Sequence, residues 1–329
     1  MGKKRILSGM RPTGRLHLGN YFGALENWVR LQDDYECFFM VADWHALTSE
    51  WQDTSEIREN ARQMAIDWLA VGLDPQRSTL FVQSQVKQHA ELALLLGMFT
   101  PVPWLERCPT YKEQISQMTN RDLSNFGFLG YPVLQAADIA LYDAVAVPIG
   151  EDQVPHLEMT REMVRRINNI YGEVLVEPQA ILSQAPKLLG FDGRKMSKSY
   201  GNCIYLSDPA EEVAEKTRQM VTDPQRVRRQ DPGNPDVCSV FAYQKLLSQD
   251  KLEWIDKGCR TAEIGCTDDK KLLIERLNGL LEPFRAKRRE LEANPRIVDR
   301  VLEEGNARAR AAAEATMRRV RKALKLFES

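Results

Sequence analysis

What this chain of 329 residues lacks first is a long hydrophobic run: no apolar stretch approaches the ~18 residues that cross a membrane, and Lys3-Lys4-Arg5 is not followed by the apolar core of a signal peptide. Cysteine is scarce as well, six in all, which does not make a disulfide scaffold at this length; Cys37 lies inside the apolar run Cys37-Phe38-Phe39-Met40-Val41, where a buried small residue is expected. These absences point to a soluble protein of a reducing cytoplasm. Net charge is nearly absent too, −1 overall, but it hides an asymmetry. Residues 270–329 hold 16 Lys and Arg against 9 Asp and Glu, a local balance of +7 that leaves −8 for the first 269 residues. Such a region is compatible with an RNA partner, and equally with a basic surface that only solubilises. No internal repeat or low-complexity tract occurs. Hydrophobic content of 43% and charged content of 28% allow one large domain with a smaller one appended.

What is present alternates between strand and helix. Ile6-Leu7-Ser8-Gly9 reads as a strand, Arg11 to Asn20 as a glycine-rich turn, and Tyr21, Leu25, Trp28 and Val29 as the start of a helix. Residues 36–42 form an unalternating apolar run, as expected of a strand covered on both faces, and it ends in Asp43-Trp44-His45. Polar groups at that end are where open α/β sheets bind ligands. A helix over 53–71 follows, with Asp53 and Glu56 at capping-box spacing, then a strand over 78–82 and a helix over 89–99. After an irregular stretch over 101–130, a helix over 131–142, a strand over 144–149 and a helix over 154–171 resume the pattern, with a short strand near 204–206. The order implies right-handed crossovers and a parallel, Rossmann-like α/β sheet. A domain boundary is expected near 200, giving 1–200 and a mostly helical 201–329. The last helix carries the apolar stripe Ala309, Ala313, Met317, Val320, Leu324 and Phe327.

Two stretches carry chemistry. Lys195-Met196-Ser197-Lys198-Ser199 presents two ammonium groups and two hydroxyls in a loop punctuated by glycines, suited to a polyphosphate. Arg11-Pro12-Thr13-Gly14-Arg15-Leu16-His17-Leu18-Gly19-Asn20 leads from a strand to a helix N-terminus, where an anionic phosphate binds well. His17-Leu18-Gly19-Asn20 resembles the HIGH signature of class I aminoacyl-tRNA synthetases, and residues 195–199 match the KMSKS loop of that class. With Tyr131-Pro132-Val133-Leu134-Gln135-Ala136-Ala137-Asp138 and Gly150-Glu151-Asp152-Gln153, the chain resembles the bacterial tryptophanyl branch of the class. Asn20 and Arg11 stand where other members carry a second His and Gln.

The resemblance implies activation of tryptophan by ATP, with Mg²⁺ on the phosphates, to the adenylate and pyrophosphate, then transfer to tRNA(Trp). It also implies a homodimer, with the 101–130 insertion in its interface, and tRNA or anticodon binding by residues 201–329. Catalytic roles fall to Lys195, Lys198, Thr13 and His17. ATP contacts fall to Arg11, Pro12, Thr13, His17, Gly19, Asn20, Gly150, Glu151, Asp152 and residues 195–199 (Lys195, Met196, Ser197, Lys198, Ser199). Tryptophan contacts fall to Asp138, Leu7, Tyr131, Gln135, Ile139 and Gln153, with Asp138 accepting from the indole N–H, which is a donor only. His45 moves toward the nucleotide pocket without a defined role. Gln135 keeps a tyrosyl enzyme open as the alternative, since Gln-x-x-Asp also surrounds a phenol in some of them. A noncatalytic paralogue binding RNA or nucleotide is a second alternative, and a small-molecule nucleotidylyltransferase a third. Finally, Cys238, Cys259 and Cys266, with Asp269 where a fourth cysteine would stand, resemble the remnant of a [4Fe–4S] site more than an occupied one.

Overall fold

The computed structural model describes residues 2–108, 111, 125–182 and 188–327. Its centre is a sheet of five parallel strands in the order β3-β2-β1-β4-β5. These are β1 (Arg5–Met10), β2 (Glu36–Val41), β3 (Ser78–Val82), β4 (Ala146–Ile149) and β5 (Gln179–Leu182). β1 pairs with β2 from Arg5↔Glu36 to Met10↔Val41, so the apolar run expected to be covered on both faces is central and buried.

Each face is closed by helices whose apolar stripes match it. On one side, Trp28 of α1 (Glu26–Leu31) stacks on Phe39 at 4.6 Å and meets Trp68 of α3 (Ile57–Ala70) edge-on at 5.5 Å. The other side is built from α4 (Gln88–Phe99), α5 (Phe126–Ala140) and α6 (Val154–Tyr171), around Leu92, Ala136, Leu141 and Val164. Between β2 and α3 lies α2 (Asp43–Glu50), which begins directly at the strand's end. α3 starts at Ile57 rather than near 53 because Asp53 accepts from the N–H and hydroxyl of Ser55, closing a local turn instead of a capping box.

The chain divides into two compact units. The first comprises Met1–Gly14, Ala24–Gln184 and Ala293–Ser329, and the second Arg15–Gly23 and Ala185–Glu292. The division is not linear in sequence: Arg15–Gly23 groups with the second unit, and the last helix, α11 (Pro295–Ala323), with the first. Its Ala309, Ala313, Met317 and Val320 are fully buried in the core of the first unit, while Phe327 at the end of the expected stripe is fully exposed. α11 also seals the edge strand: Asn306 Oδ1 accepts the Val82 N–H at 2.9 Å, and Arg308 donates to the carbonyls of Pro75 and Ser78. A Cβ on Gly305 would lie 1.7 Å from the Leu80 carbonyl oxygen, so only glycine allows this approach.

The second unit holds α7 (Ala210–Gln219), α8 (Ser239–Leu247), α9 (Leu252–Arg260) and α10 (Cys266–Ala293). The strand expected near 204–206 is reduced to one antiparallel bridge, Tyr205 to His17, flanked by Leu18 N–H to Ile204 O at 3.0 Å and Leu206 N–H to Leu16 O at 2.9 Å. Of the 101–130 insertion, residues 109, 110 and 112–124 lie outside the described ones.

Candidate active site

In the first unit, α5 aligns chemistry by helical spacing. Tyr131, Gln135, Asp138 and, just past its end, Tyr142 recur at i, i+4, i+7 and i+11, on one face. Asp138 is 2% exposed and is the hub of this region. Its Oδ2 accepts from His45 Nε2 at 2.7 Å and from Gln83 Nε2 at 3.0 Å; its Oδ1 accepts from the same amide at 2.8 Å and from His89 Nδ1 at 2.7 Å. The other face of His89 meets the Tyr142 hydroxyl, Nε2 to Oη 2.7 Å. Burial alone pushes the Asp138 carboxyl up, but His45 and His89, by charge and hydrogen bond, outweigh it and hold it at about 2. The group is therefore an ionised acceptor held by two histidines and a glutamine, and Leu7 and Ile139 are buried in the same unit's core.

Sequence reasoning left His45 without a role and missed Gln83, His89 and Tyr142. The stripe on α5 could have found Tyr142. Gln83 follows β3 immediately, at the carboxyl edge of the sheet, and that position was its signal. A second group was also missed. Cys108 Sγ lies 3.7 Å from His156 Nδ1 and 3.8 Å from the Tyr131 hydroxyl, which in turn lies 3.4 Å from His156 Nδ1. Burial raises the Cys108 thiol, yet the hydrogen bonds from His156, from the Tyr111 backbone and from Tyr131 bring it down to about 7.

Arg11 donates to the Ser49 hydroxyl on α2. The Thr13 N–H turns back onto the Arg11 carbonyl at 2.9 Å. Gly150 to Gln153 form a single tight turn at the head of α6, with Glu151 and Asp152 exposed and Gln153 donating to Asp152.

The phosphate-type residues of the second unit converge separately. His17 and Asn20 close a capping box: Asn20 Oδ1 accepts the His17 N–H at 3.0 Å. A Cβ on Gly19 would stand 2.9 Å from the His17 ring and 3.5 Å from the Met196 sulfur, so this turn and the loop at 195–199 share one small space. Burial, with the positive charge of Lys198 second, lowers the His17 imidazole to about 4. At neutral pH the ring is uncharged and supplies no countercharge for an anion. The loop itself is pinned by Met196, 6% exposed, and by Asn202, whose Oδ1 takes the Ser197 N–H at 2.8 Å and whose Nδ2 donates to the Lys195 carbonyl at 3.1 Å. Lys195 and Ser199 are exposed, and Lys198 half-buried.

Cys238, Cys259, Cys266 and Asp269 line one cavity of about 10 Å³, room for about one water. Arg226 shares that wall and donates to Cys259 Sγ at 3.7 Å, while Gln244 donates to Asp269 Oδ1 at 2.6 Å. Burial raises both the Cys238 and Cys259 thiols. This arrangement does not fit a four-iron cluster, which needs thiolates and more space. Among the described residues no group of three or more His, Cys, Asp or Glu is placed to hold a metal ion.

Comparison with known proteins agrees with these features. The sequence profile described as "tRNA synthetases class I (W and Y)" matches residues 2–282. The chain is 54% identical over 326 residues to the tryptophan–tRNA ligase of Thermotoga maritima, covering 98% of this chain and 99% of that protein. It is 45% identical over 393 residues to that of Aquifex aeolicus, covering 98% and 100%. The crystal structure of tryptophanyl-tRNA synthetase from Campylobacter jejuni complexed with ADP and tryptophan superposes with a TM-score of 0.88 at 33% identity, over 98% of this chain and all of that one.

Proposed function

The chain belongs to the class I tRNA synthetases of the tryptophan and tyrosine family, and from that premise we infer that it is a tryptophan–tRNA ligase. It activates tryptophan with ATP to the adenylate and releases pyrophosphate. The observation that carries the amino acid is the ionised, nearly buried Asp138, an acceptor in the wall of an apolar core that a phenyl or aliphatic side chain could not satisfy.

The residue roles follow from the chemistry. The attacking carboxylate is already ionised, so no general base is required, and catalysis consists of placing donors where charge accumulates on the leaving oxygens. Lys195 and Lys198 neutralise the departing pyrophosphate. His17, neutral, and Asn20 contribute hydrogen bonds, Thr13 a hydroxyl, and Gly19 lets the nucleotide approach the backbone. Arg11, Pro12, Gly150, Glu151, Asp152, Met196, Ser197 and Ser199 complete the proposed ATP contacts. Tyr131, Gln135 and Gln153 hold the substrate's ammonium and carboxylate, and Leu7 and Ile139 are pocket walls. Mg²⁺ would arrive on the ATP phosphates and screen their charge.

The second substrate is tRNA(Trp), bound in part by the helical region beyond residue 200. Arg319 is ion-paired with Asp143, and Arg321 with Glu91 and Glu314, so exposed Arg318 is the better probe on α11. Arg318→Glu is expected to weaken tRNA binding while sparing adenylate formation. A homodimer is supported by exposed Leu94 and Met98 one turn apart on α4 and by exposed Ile170 beside the Phe99–Tyr171 ring pair; sedimentation tests it. Six free cysteines suit a reducing cytoplasm, and no described helix is long and apolar enough to cross a membrane. The cysteine cavity is a vestige holding free thiols, and stoichiometric iron with visible absorption in anaerobically purified protein would refute that. The deciding experiment for the reaction is ATP–pyrophosphate exchange with each of the twenty amino acids offered singly. Exchange with tryptophan alone is expected; exchange with tyrosine, or with none, would overturn the reading.

A further inference from the structure

We infer that His89 and Tyr142 form a positioning relay behind the indole site, in which Tyr142 sets the tautomer of His89 and His89 fixes the Asp138 carboxylate in the orientation that selects an N–H donor. This rests on the reading of Asp138 as the acceptor of the indole N–H.

The first observation is access. Gln83, His89 and Tyr142 are all 0% exposed, so none of the three is at hand for an amino acid, whereas the His45 side chain is 11% exposed and meets Oδ2. Asp138 is thus backed by His89 on Oδ1 and by Gln83 across both oxygens, and its partly exposed partner is His45, on Oδ2.

The second is the direction of each hydrogen bond. Asp138 is ionised and can only accept, so His89 Nδ1 must carry a proton. Burial first, and then the Asp138 charge, push the Tyr142 hydroxyl well above its ordinary range, so it remains a phenol able to donate. Its O–H points at His89 Nε2, 2.7 Å away, and a donor there holds the ring with Nδ1–H facing the carboxylate. Gln83 is oriented in the same manner: its Oε1 accepts the Trp44 N–H at 3.1 Å, which leaves only Nε2 to face the carboxylate.

The third is rigidity. The His89 ring stacks on Phe81 with centroids 6.0 Å apart and planes 20° apart, and Tyr142 stacks on Phe38 at 4.8 Å. The terminal torsion of an aspartate is intrinsically broad, so a carboxylate in an apolar pocket needs such clamps to offer one oxygen in one direction. Without them Asp138 remains charged and buried but accepts less selectively.

The relay is a positioning device, and its readout is selectivity for the N–H itself. The experiment is ATP–pyrophosphate exchange on the full chain with tryptophan and with the analogue in which a benzothiophene sulfur replaces the indole N–H. Wild type is compared with Tyr142→Phe, His89→Ala, His89→Asn and Asp138→Asn. The preference for tryptophan over the sulfur analogue is expected to fall on the order of tenfold in Tyr142→Phe and further in His89→Ala, with the KM for ATP unchanged. His89→Asn, whose amide N–H can replace Nδ1–H, is expected to retain most of it. An unchanged preference in Tyr142→Phe and His89→Ala, while Asp138→Asn abolishes it, would overturn the relay and leave the acceptor reading intact. An unchanged preference in Asp138→Asn would overturn both. Should His89→Ala fail to fold, the nearly isosteric Tyr142→Phe decides alone.

Discussion

Asp138 and the loop at Lys195–Ser199 hold charge in opposite ways. Around Asp138 the carboxylate is 2% exposed and both oxygens are met by protein donors, while in the loop only Met196 is buried and Lys195 projects into solvent. The first arrangement is dry, so each hydrogen bond there is strong, and an unmet one is expensive. The second leaves its charge hydrated and adds little to stability. On the proposed roles, selecting an amino acid would call for an acceptor that is fixed beforehand, whereas stabilising a departing pyrophosphate would call for cations on a solvated loop. The difference predicts that substitutions will separate stability from rate, depending on which region they touch.

Asp138→Ala should show the largest effect. It leaves His45, His89 and Gln83 facing an empty space, a loss of about 3–5 kcal/mol in a denaturant titration, together with loss of preference for tryptophan over tyrosine in pyrophosphate exchange. A variant that melts like wild type would show that the centre is not under the electrostatic load described. Next, Lys198→Ala should slow adenylate formation by roughly 10²–10³ with tryptophan affinity nearly intact, as read by single-turnover kinetics; the reverse pattern would break the comparison from the other side.

His17 sits between the two extremes and sharpens them through pH. Its folded value, about 4, is below the unfolded 6.5, so between those values the unfolded chain binds a proton that the folded chain refuses. Stability is then fully present above pH 6.5 and falls as pH drops toward 4, by up to about 3 kcal/mol. In His17→Gln that part of the melting-temperature profile should flatten. The smallest effect is expected at Arg194, whose ion pair with Asp192 in the loop region is largely solvated: Arg194→Ala should change stability by about 0–1 kcal/mol in the same titration.

The sheet was largely legible. Apolar runs marked β2 and β3 to within a residue, because strands covered on both faces leave no ambiguity of period. β5 escaped notice because Gln179–Leu182 is four residues long and mostly exposed, so no hydrophobic signal announces it. The amphipathic pattern of α11 was read correctly along most of its stripe, but amphipathicity names no partner, and its basic residues suggested RNA when several serve the first unit. For the proposed site, motif spacing singled out Asp138, His17 and the lysines. Local sequence cannot show that His45, His89 and Gln83, from three separate segments, meet on one carboxylate, because that meeting is a property of the parallel sheet that aligns their ends.

The approach of Gly305 to Leu80, with Asn306 on the Val82 N–H, has a consequence for biosynthesis. β3 emerges from the ribosome early, whereas its cover lies near the far end of the polypeptide. Throughout translation the nascent sheet therefore presents an unsealed edge and an uncovered apolar patch, available to chaperones or to a neighbouring nascent chain. Only synthesis of that helix completes it, so a premature stop between residues 200 and 305 would leave a product that retains Asp138, His17 and the loop at 195–199 and yet is prone to aggregate.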